Sequence, residues 1–438
     1  MNILSDIFLF KLDKKVIDKL NIITLSMISI LFLMPDLLYE ITKSVNELYT
    51  SLYIIVMIPL TYLFIYNIKK IKKIDIIVFL VYILILLISS IFAYNPIIAF
   101  LGGGRKEGFI TFLMYLLIYI NARNITKEGF NILIKVFIGI VFINFIFGLI
   151  QVYLNVNIIS SKTFYGMAYG FAGNPNFYGT LMVLFSSFFI GLYLYEGKTI
   201  YLITHIIAFI GIILSSSTGP FLTMVLLFII LIIYLFIHKK ELLKKIFVLI
   251  PIYIIFYYLV SRSSVYINKT FYIGDWRYEN YTIKNDFDIY RHGGSLLAKL
   301  SKMSNGRIDL WIDSIKYIDR NDSILLGSGL ENFSIYRLTI EDNTVHNLLR
   351  YDKTHNIYLN ILVETGIFSL IVYLIWIFIY HKKIINSKNV LSTILLFSLI
   401  GYNIQGLFNI NVYQVSIYYY MFIGIALGLG DKIETRKY

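Results

Sequence analysis

Long uncharged stretches alternate along the chain with short polar connectors. Twelve apolar runs stand out, at roughly 20–38, 49–67, 74–94, 107–121, 130–154, 177–195, 199–216, 219–237, 246–261, 357–380, 390–409 and 414–430. About 20 helical residues cross the ~30 Å hydrocarbon core of a bilayer. Each run therefore predicts one membrane-crossing helix, the fourth being the shortest. The runs are continuously apolar instead of alternating, which excludes a membrane β-barrel. They hold few glycines and almost no proline, so most are expected to be unbroken. The first run begins near Leu20, is too long for the apolar region of a signal peptide, and lacks a clear small-residue cleavage site.

Composition supports this reading. Of 438 residues, 58% are hydrophobic and 15% charged, with a mean hydropathy of +0.74. Soluble domains have about 45–50% apolar and about 25% charged residues, so a soluble enzyme, a disordered chain and a fibre are excluded. There is no cysteine, which removes disulfides, thiolate catalysis and Cys-ligated zinc or iron–sulfur centres. The fold class expected is an all-α polytopic membrane protein with about twelve transmembrane helices.

The net charge of +13 is explained by where the charges sit. With the N-terminus inside, the inner connections and tails carry 21 Lys and Arg, among them Lys69, Lys70, Lys239, Lys240, Arg123 and Lys383. The short outer loops carry four: Lys43, Arg105, Lys106 and Lys162. Basic residues mark the cytoplasmic side, so both termini are expected there. The basic balance is then a topology signal, and nucleic acid is not expected as a partner.

Residues 262–356 form one long connection on the outer face, with 13 basic and 12 acidic residues. The chain divides accordingly into 1–261 (helices one to nine), 262–356 (outer loop) and 357–438 (helices ten to twelve and a short cytoplasmic tail). Within the loop, Arg307–Arg320 has helical periodicity. Ile308, Trp311, Ile312, Ile315 and Ile318 share one face, with Asp309, Asp313 and Lys316 away from it. Such a helix can lie on the membrane surface or over a cavity, or pack on its neighbours.

Candidate chemistry clusters on the outer side. His355 opens span ten, in Thr354-His355-Asn356. An interfacial histidine can act as a general base near neutral pH or serve only as a polar anchor. Glu364, nine residues on, is about 900° further round a helix and so opposite His355. An acid that deep is costly in lipid and is expected to face the bundle interior or a wet cavity. Arg105 sits in Gly102-Gly103-Gly104-Arg105-Lys106-Glu107-Gly108. Glycines there allow close backbone approach, and the arginine fork suits phosphate. The loop lacks the GKS/T ending of a nucleotide P-loop. Arg307 opens the amphipathic helix. Asp286-Phe287-Asp288 spells D-x-D by chance, and the histidines have no H-E-x-x-H spacing, so no metal site is expected.

Four segments resemble the O-antigen ligase and polymerase superfamily of bacterial membrane glycosyltransferases. Phe171-Ala172-Gly173-Asn174-Pro175-Asn176-Phe177 is similar to its Gly-x-Pro-Asn-type loop before a span. Ser304-Asn305-Gly306-Arg307 with Trp311 is similar to Ser-Gly-Arg-x-x-x-Trp. Gly327-Ser328-Gly329 with Phe333 is similar to Gly-x-Gly-x-x-x-Phe. His355-Asn356 with Leu359, Glu364 and Gly366 is similar to the His-Asn-x-x-Leu…Gly block. Order, spacing and outer placement agree.

The resemblance implies transfer of a glycan from undecaprenyl diphosphate to a hydroxyl, for lipopolysaccharide, capsule or another surface polysaccharide. The acceptor is a glycan or lipid-linked glycan. Neither a metal nor another cofactor is used, and the site is on the extracytoplasmic face of the inner membrane. It implies His355 as the catalytic base and Arg307 as a diphosphate ligand, with Arg105 the candidate for a second. Asn356, Glu364, Gly366, Asn174 and Asn176 are implied as supporting residues. Family ligases often have an arginine in a Ser-Arg-Gly/Thr segment at the start of a middle span. This chain has Ser215-Ser216-Ser217-Thr218-Gly219-Pro220 there, so either Arg105 supplies the second positive charge or the chemistry differs. The competing reading is a multi-span transporter or flippase, which predicts midplane charges, broken helices and repeated halves; no internal repeat is visible.

Overall fold

The structure is a computed structural model that describes residues 13–31, 45–67, 74–156, 164, 166–263, 307–320, 324–333 and 352–434. The D-x-D segment, His292, His346 and Ser304–Gly306 lie outside these residues.

The described residues contain 14 α-helices. They are α1 (Lys14–Leu31), α2 (Val45–Asn67), α3 (Ile74–Ile91), α4 (Pro96–Leu101), α5 (Phe109–Arg123), α6 (Lys127–Tyr153), α7 (Pro175–Glu196), α8 (Thr199–Leu214), α9 (Thr218–His238), α10 (Lys240–Ser263), α11 (Arg307–Arg320), α12 (Ile357–Asn386), α13 (Val390–Gln405) and α14 (Tyr413–Glu434). A helix occupies each of the twelve apolar runs, while α4 and α11 are additional. Six helices, α3, α6, α7, α9, α10 and α12, are long and apolar enough to cross a membrane, and shorter apolar helices accompany them. The chain is a polytopic membrane protein. Helix α1 starts six residues earlier than the run that predicted it, because Lys14, Lys15 and Asp18 extend the helix into polar sequence.

Side-chain caps set several helix starts. Asn95, Thr126, Asn174, Asn356 and Asn389 each accept a bond from an amide in the first turn, satisfying donors that have no intrahelical partner. Helix α7 lies at the centre, almost wholly buried, between α8 and α13. Its small residues allow this: Gly179 packs against Pro220 and Gly191 against Ile394. In lipid, small residues at helix contacts replace the hydrophobic drive available in water. Around the outside, α9 and α10 expose Ile229, Ile233, Phe236, Val248 and Ile254, a surface suited to acyl chains.

Helix α14 lies along α5 through Gly424 and Gly428. A Cβ at Gly428 would stand 2.0 Å from the Arg123 carbonyl oxygen, and one at Gly424 2.4 Å from the Tyr119 carbonyl oxygen. The contact is backbone against backbone, with no side chain to yield. Gly428→Leu is expected to separate the two helices and cut the yield of monodisperse protein in detergent several-fold; an unchanged chromatographic profile would refute this packing. Beside it, Asp75 accepts from Arg123, Lys383 and Tyr119, and Arg123 also reaches Asp431 at 2.8 Å. Arg123 and Lys383, counted as topology charges, thus also tie α3, α5, α12 and α14 together at the end opposite the start of α12.

Helix α12 departs from the expected unbroken span. Gly366 has φ 84° and ψ 175°, which breaks the helix and releases the carbonyls before it. The segment 324–333 fills the break. The Ser328 and Gly329 amides donate to the Val363 and Glu364 carbonyls at 3.0 and 2.8 Å, and the Ile367 amide donates to Ile324 O at 2.8 Å. The Ser89 hydroxyl donates to Leu326 O at 2.7 Å and Glu364 O at 3.2 Å. Irregular backbone at membrane depth is tolerated where protein satisfies it. The crossing is tight enough to require glycine on both sides. A Cβ at Gly366 would be 2.0 Å from Leu325 O, and one at Gly327, φ 70°, 2.3 Å from the Glu364 carbonyl carbon.

Candidate active site

The site is assembled from the start of α12, the loop between α4 and α5, the start of α7 and the helix α11. Asn356 caps α12, its Oδ1 accepting from the Tyr358 and Leu359 amides at 3.0 and 3.1 Å. His355 precedes it in the left-handed conformation, φ 52°. The Thr354 hydroxyl donates to Asn356 O at 2.9 Å, and Trp311 Nε1 donates to Thr354 O at 3.0 Å. That bond brings α11, and with it Arg307, to the histidine.

Helix α11 runs over the predicted residues, but its buried face is not the predicted one. Leu310, Ser314, Tyr317 and Ile318 are buried. Leu310, Tyr317 and Ile318 pack with Phe333 and Val363, flanked by Leu359 and Leu362. Ile315 is 57% exposed, and Ile308, Trp311 and Ile312 are half-buried. The helix therefore packs on α12, and a second apolar strip remains outward. Periodicity picks out the most apolar strip, whereas the buried strip is the one that meets α12.

Four charged or titratable groups meet here. Arg105 forms a bidentate pair with Asp352, through Nε to Oδ2 and through Nη2 to Oδ1 at 3.2 Å. Its guanidinium lies 5.5 Å from the centre of the Phe177 ring, in the segment that also holds Asn174 and Asn176. Burial pushes His355 down to about 4, and Arg307 and then Arg105 push the same way against the opposing charge of Asp352. The imidazole is thus neutral at neutral pH. Burial alone would raise the Asp352 carboxyl, but the Arg105 bond and charge outweigh it and hold it below its ordinary value.

The glycine-rich loop itself wraps an internal anion. Glu331 accepts from the amides of Gly103 at 2.5 Å, Arg105 at 3.2 Å and Glu107 at 2.6 Å. These amides form a nest round a side chain of the long outer connection. The loop backbone is held by this contact, and the Arg105 side chain projects from it to Asp352.

Glu364 faces the interior as expected, and its partner is Lys353, at 2.8 and 2.9 Å with both side chains sealed from solvent. Asn360 Nδ2 adds a bond to Glu364 at 3.0 Å. Burial lowers Lys353, yet the charges of Glu364 and Glu331 more than compensate and raise it. A small pocket adjoins the pair, lined among others by Tyr82, Glu107, Asn360 and Asn411. Glu107, buried just before α5, accepts from the Tyr115 hydroxyl at 2.6 Å.

Asn174 caps α7 by accepting from the Asn176 amide at 2.9 Å. Asn176 O accepts from Thr180 at 2.7 Å and from Asn409 at 3.4 Å. Both asparagines thus build the turn beside Phe177. Ser215–Ser217 form a buried serine turn with Ser216 at φ 51°, and Thr218, which follows, is exposed. Sequence reasoning missed Asp352, Lys353, Glu331 and Glu107. The only local signal was three charged or polar residues, Asp352-Lys353-Thr354, just before the histidine.

No curated protein sequence matches the chain. Residues 203–374 match the family model described as O-antigen ligase, a span that contains α11, the Gly327–Gly329 turn, Asp352, His355 and the broken half of α12. Across residues 203–374 the chain is thus similar to the O-antigen ligase family.

Proposed function

We propose that this protein is an inner-membrane glycosyltransferase that moves an oligosaccharide from undecaprenyl diphosphate onto a hydroxyl of a growing or acceptor glycan, as a surface-polysaccharide ligase or polymerase. The observation that carries the reading is the convergence of a neutral His355 with Arg105 and Arg307 at the mouth of α12. His355 Nδ1 or Nε2 takes the acceptor proton. The acceptor oxygen attacks the anomeric carbon, the bond to the diphosphate breaks with inversion, and the two arginines stabilise the charge that builds on the leaving group. The donor already carries an activated leaving group, so neither a metal nor a nucleotide enters the reaction. In this reading the chain crosses twelve times, with both termini cytoplasmic and residues 262–356 as the outer loop, so that the chemistry is extracytoplasmic; the basic-residue asymmetry supports it. The lipid-facing surface of α9 and α10 suits the polyprenyl chain.

A flippase reading has one specific support, the break in α12 beside the buried Lys353–Glu364 pair. The carbonyls at that break are capped by the Gly327–Gly329 turn, which favours a fixed structural role. Gene deletion separates the two readings. A transferase predicts lipid-linked glycan accumulating on the outer leaflet, open to a membrane-impermeant glycosidase, as single repeats for a polymerase and long chains for a ligase. Accumulation on the inner leaflet would favour the flippase, and unchanged lipid-linked and surface glycan would sink both.

A further inference from the structure

We propose that Asp352 is a positioning residue of the donor site: its carboxylate occupies the Arg105 fork as a stand-in for the diphosphate, and the donor displaces it. This rests on the donor-site reading given above. The argument starts from the backbone. Consecutive residues Asp352 and Lys353 point to opposite sides, Lys353 into the sealed pair with Glu364 and Asp352 to Arg105. The two pairs differ in access. The Lys353 and Glu364 side chains are 4% and 2% exposed, whereas Arg105 and Asp352 are 25% and 42% exposed. An ion pair that water reaches adds little to stability, so it is a poor structural fastener and an easy one to exchange.

The loop does not need that pair. Its backbone is already held by the three amide bonds to Glu331, so the Arg105 side chain can change partners while the loop stays in place. The fork geometry is also right. Arg105 binds Asp352 through two nitrogens, the mode in which arginine grips carboxylate and phosphate alike. A diphosphate brings more negative charge to the same fork. Phe177, under the guanidinium, keeps the plane of the fork oriented through the exchange. Arg307 and His355 share the same field with Asp352, so the vacated carboxylate remains beside the histidine.

The test is binding of inorganic pyrophosphate to the full-length protein in detergent, by calorimetry, for wild type, Arg105→Ala, Asp352→Asn and Asp352→Glu. The Asn variant keeps the shape and removes the charge. Displacement predicts that Asp352→Asn tightens pyrophosphate about tenfold, that Asp352→Glu stays near wild type, and that Arg105→Ala weakens both wild type and the Asn variant. Thermal unfolding of each variant identifies any misfolded protein, and Asp352→Glu, which keeps the charge, carries the test if the Asn form does not fold: a Glu form that binds like Arg105→Ala overturns the proposal. If Arg105→Ala leaves pyrophosphate binding unchanged, or no form binds, the donor-site reading fails and the displacement with it. If wild type binds through Arg105 but Asp352→Asn binds equally or more weakly, the donor site stands and only the displacement is overturned.

Discussion

His355→Asn is expected to lower glycan transfer by about 10²–10⁴-fold, the range for loss of a general base, while the protein still inserts and folds. Asparagine is the informative replacement because His355 sits at φ 52°, a region asparagine enters far more readily than most residues. The cap on Asn356 and the Trp311 bond to Thr354 O use neighbouring groups, so neither is lost. The pH dependence follows from the same surroundings. Burial and the two arginines hold His355 at about 4, and kcat/KM reports groups of the free enzyme. Activity per unit of donor is therefore expected to stay level from pH 8 down to about pH 5. It should fall only as protonation near pH 4 removes the lone pair, instead of falling near the ordinary histidine value of about 6.5. An acid limb near 6.5, or transfer by His355→Asn within tenfold of wild type at equal protein level, would remove His355 from the role of base.

The second large effect concerns the sealed pair. Glu364→Leu leaves the Lys353 ammonium buried without its bidentate partner, and Lys353→Met leaves Glu364 facing Glu331 and Glu107. Breaking a buried pair from one side costs about 3–5 kcal/mol, whereas replacing both members by apolar residues is often near neutral. Each single variant is thus expected to unfold at a much lower temperature in detergent. The double variant Lys353→Met with Glu364→Leu should recover most of that loss, with Asn360 and the Glu331 amide left short of an acceptor. A double variant as unstable as the sum of the singles would mean that the two side chains act independently, contrary to their 2.8 and 2.9 Å contacts.

These two experiments address different layers of one site. The first removes a group placed to move a proton. The second loosens the floor beneath it, since Lys353 and His355 flank Thr354, and Thr354 is tied to both α11 and Asn360. Loss of activity in the single pair variants would accordingly follow loss of fold, and it should return with the double variant.

Much of this molecule is determined by the sequence alone. The twelve helices were readable because a membrane helix satisfies its own backbone, so a run of apolar residues suffices to specify it. The amphipathic helix at Arg307–Arg320 was readable from its period, and the start of α12 from the His355-Asn356 step, where asparagine caps. Tertiary structure alone decided the rest. Arg105 meets Asp352 across 247 residues of sequence, and Gly103 meets Glu331 across 228. A charge pair at that separation leaves no local pattern, since its energy depends on which elements the fold brings together. Gly366 was visible as a motif, but its break in α12 exists only because the Gly327–Gly329 turn supplies the amides its carbonyls need. The buried face of α11 likewise differs from the most apolar one, because α12 offers Val363 and Leu359 to Leu310, Tyr317 and Ile318. Local periodicity determines that a helix forms; burial, which requires a partner, determines what its residues then do.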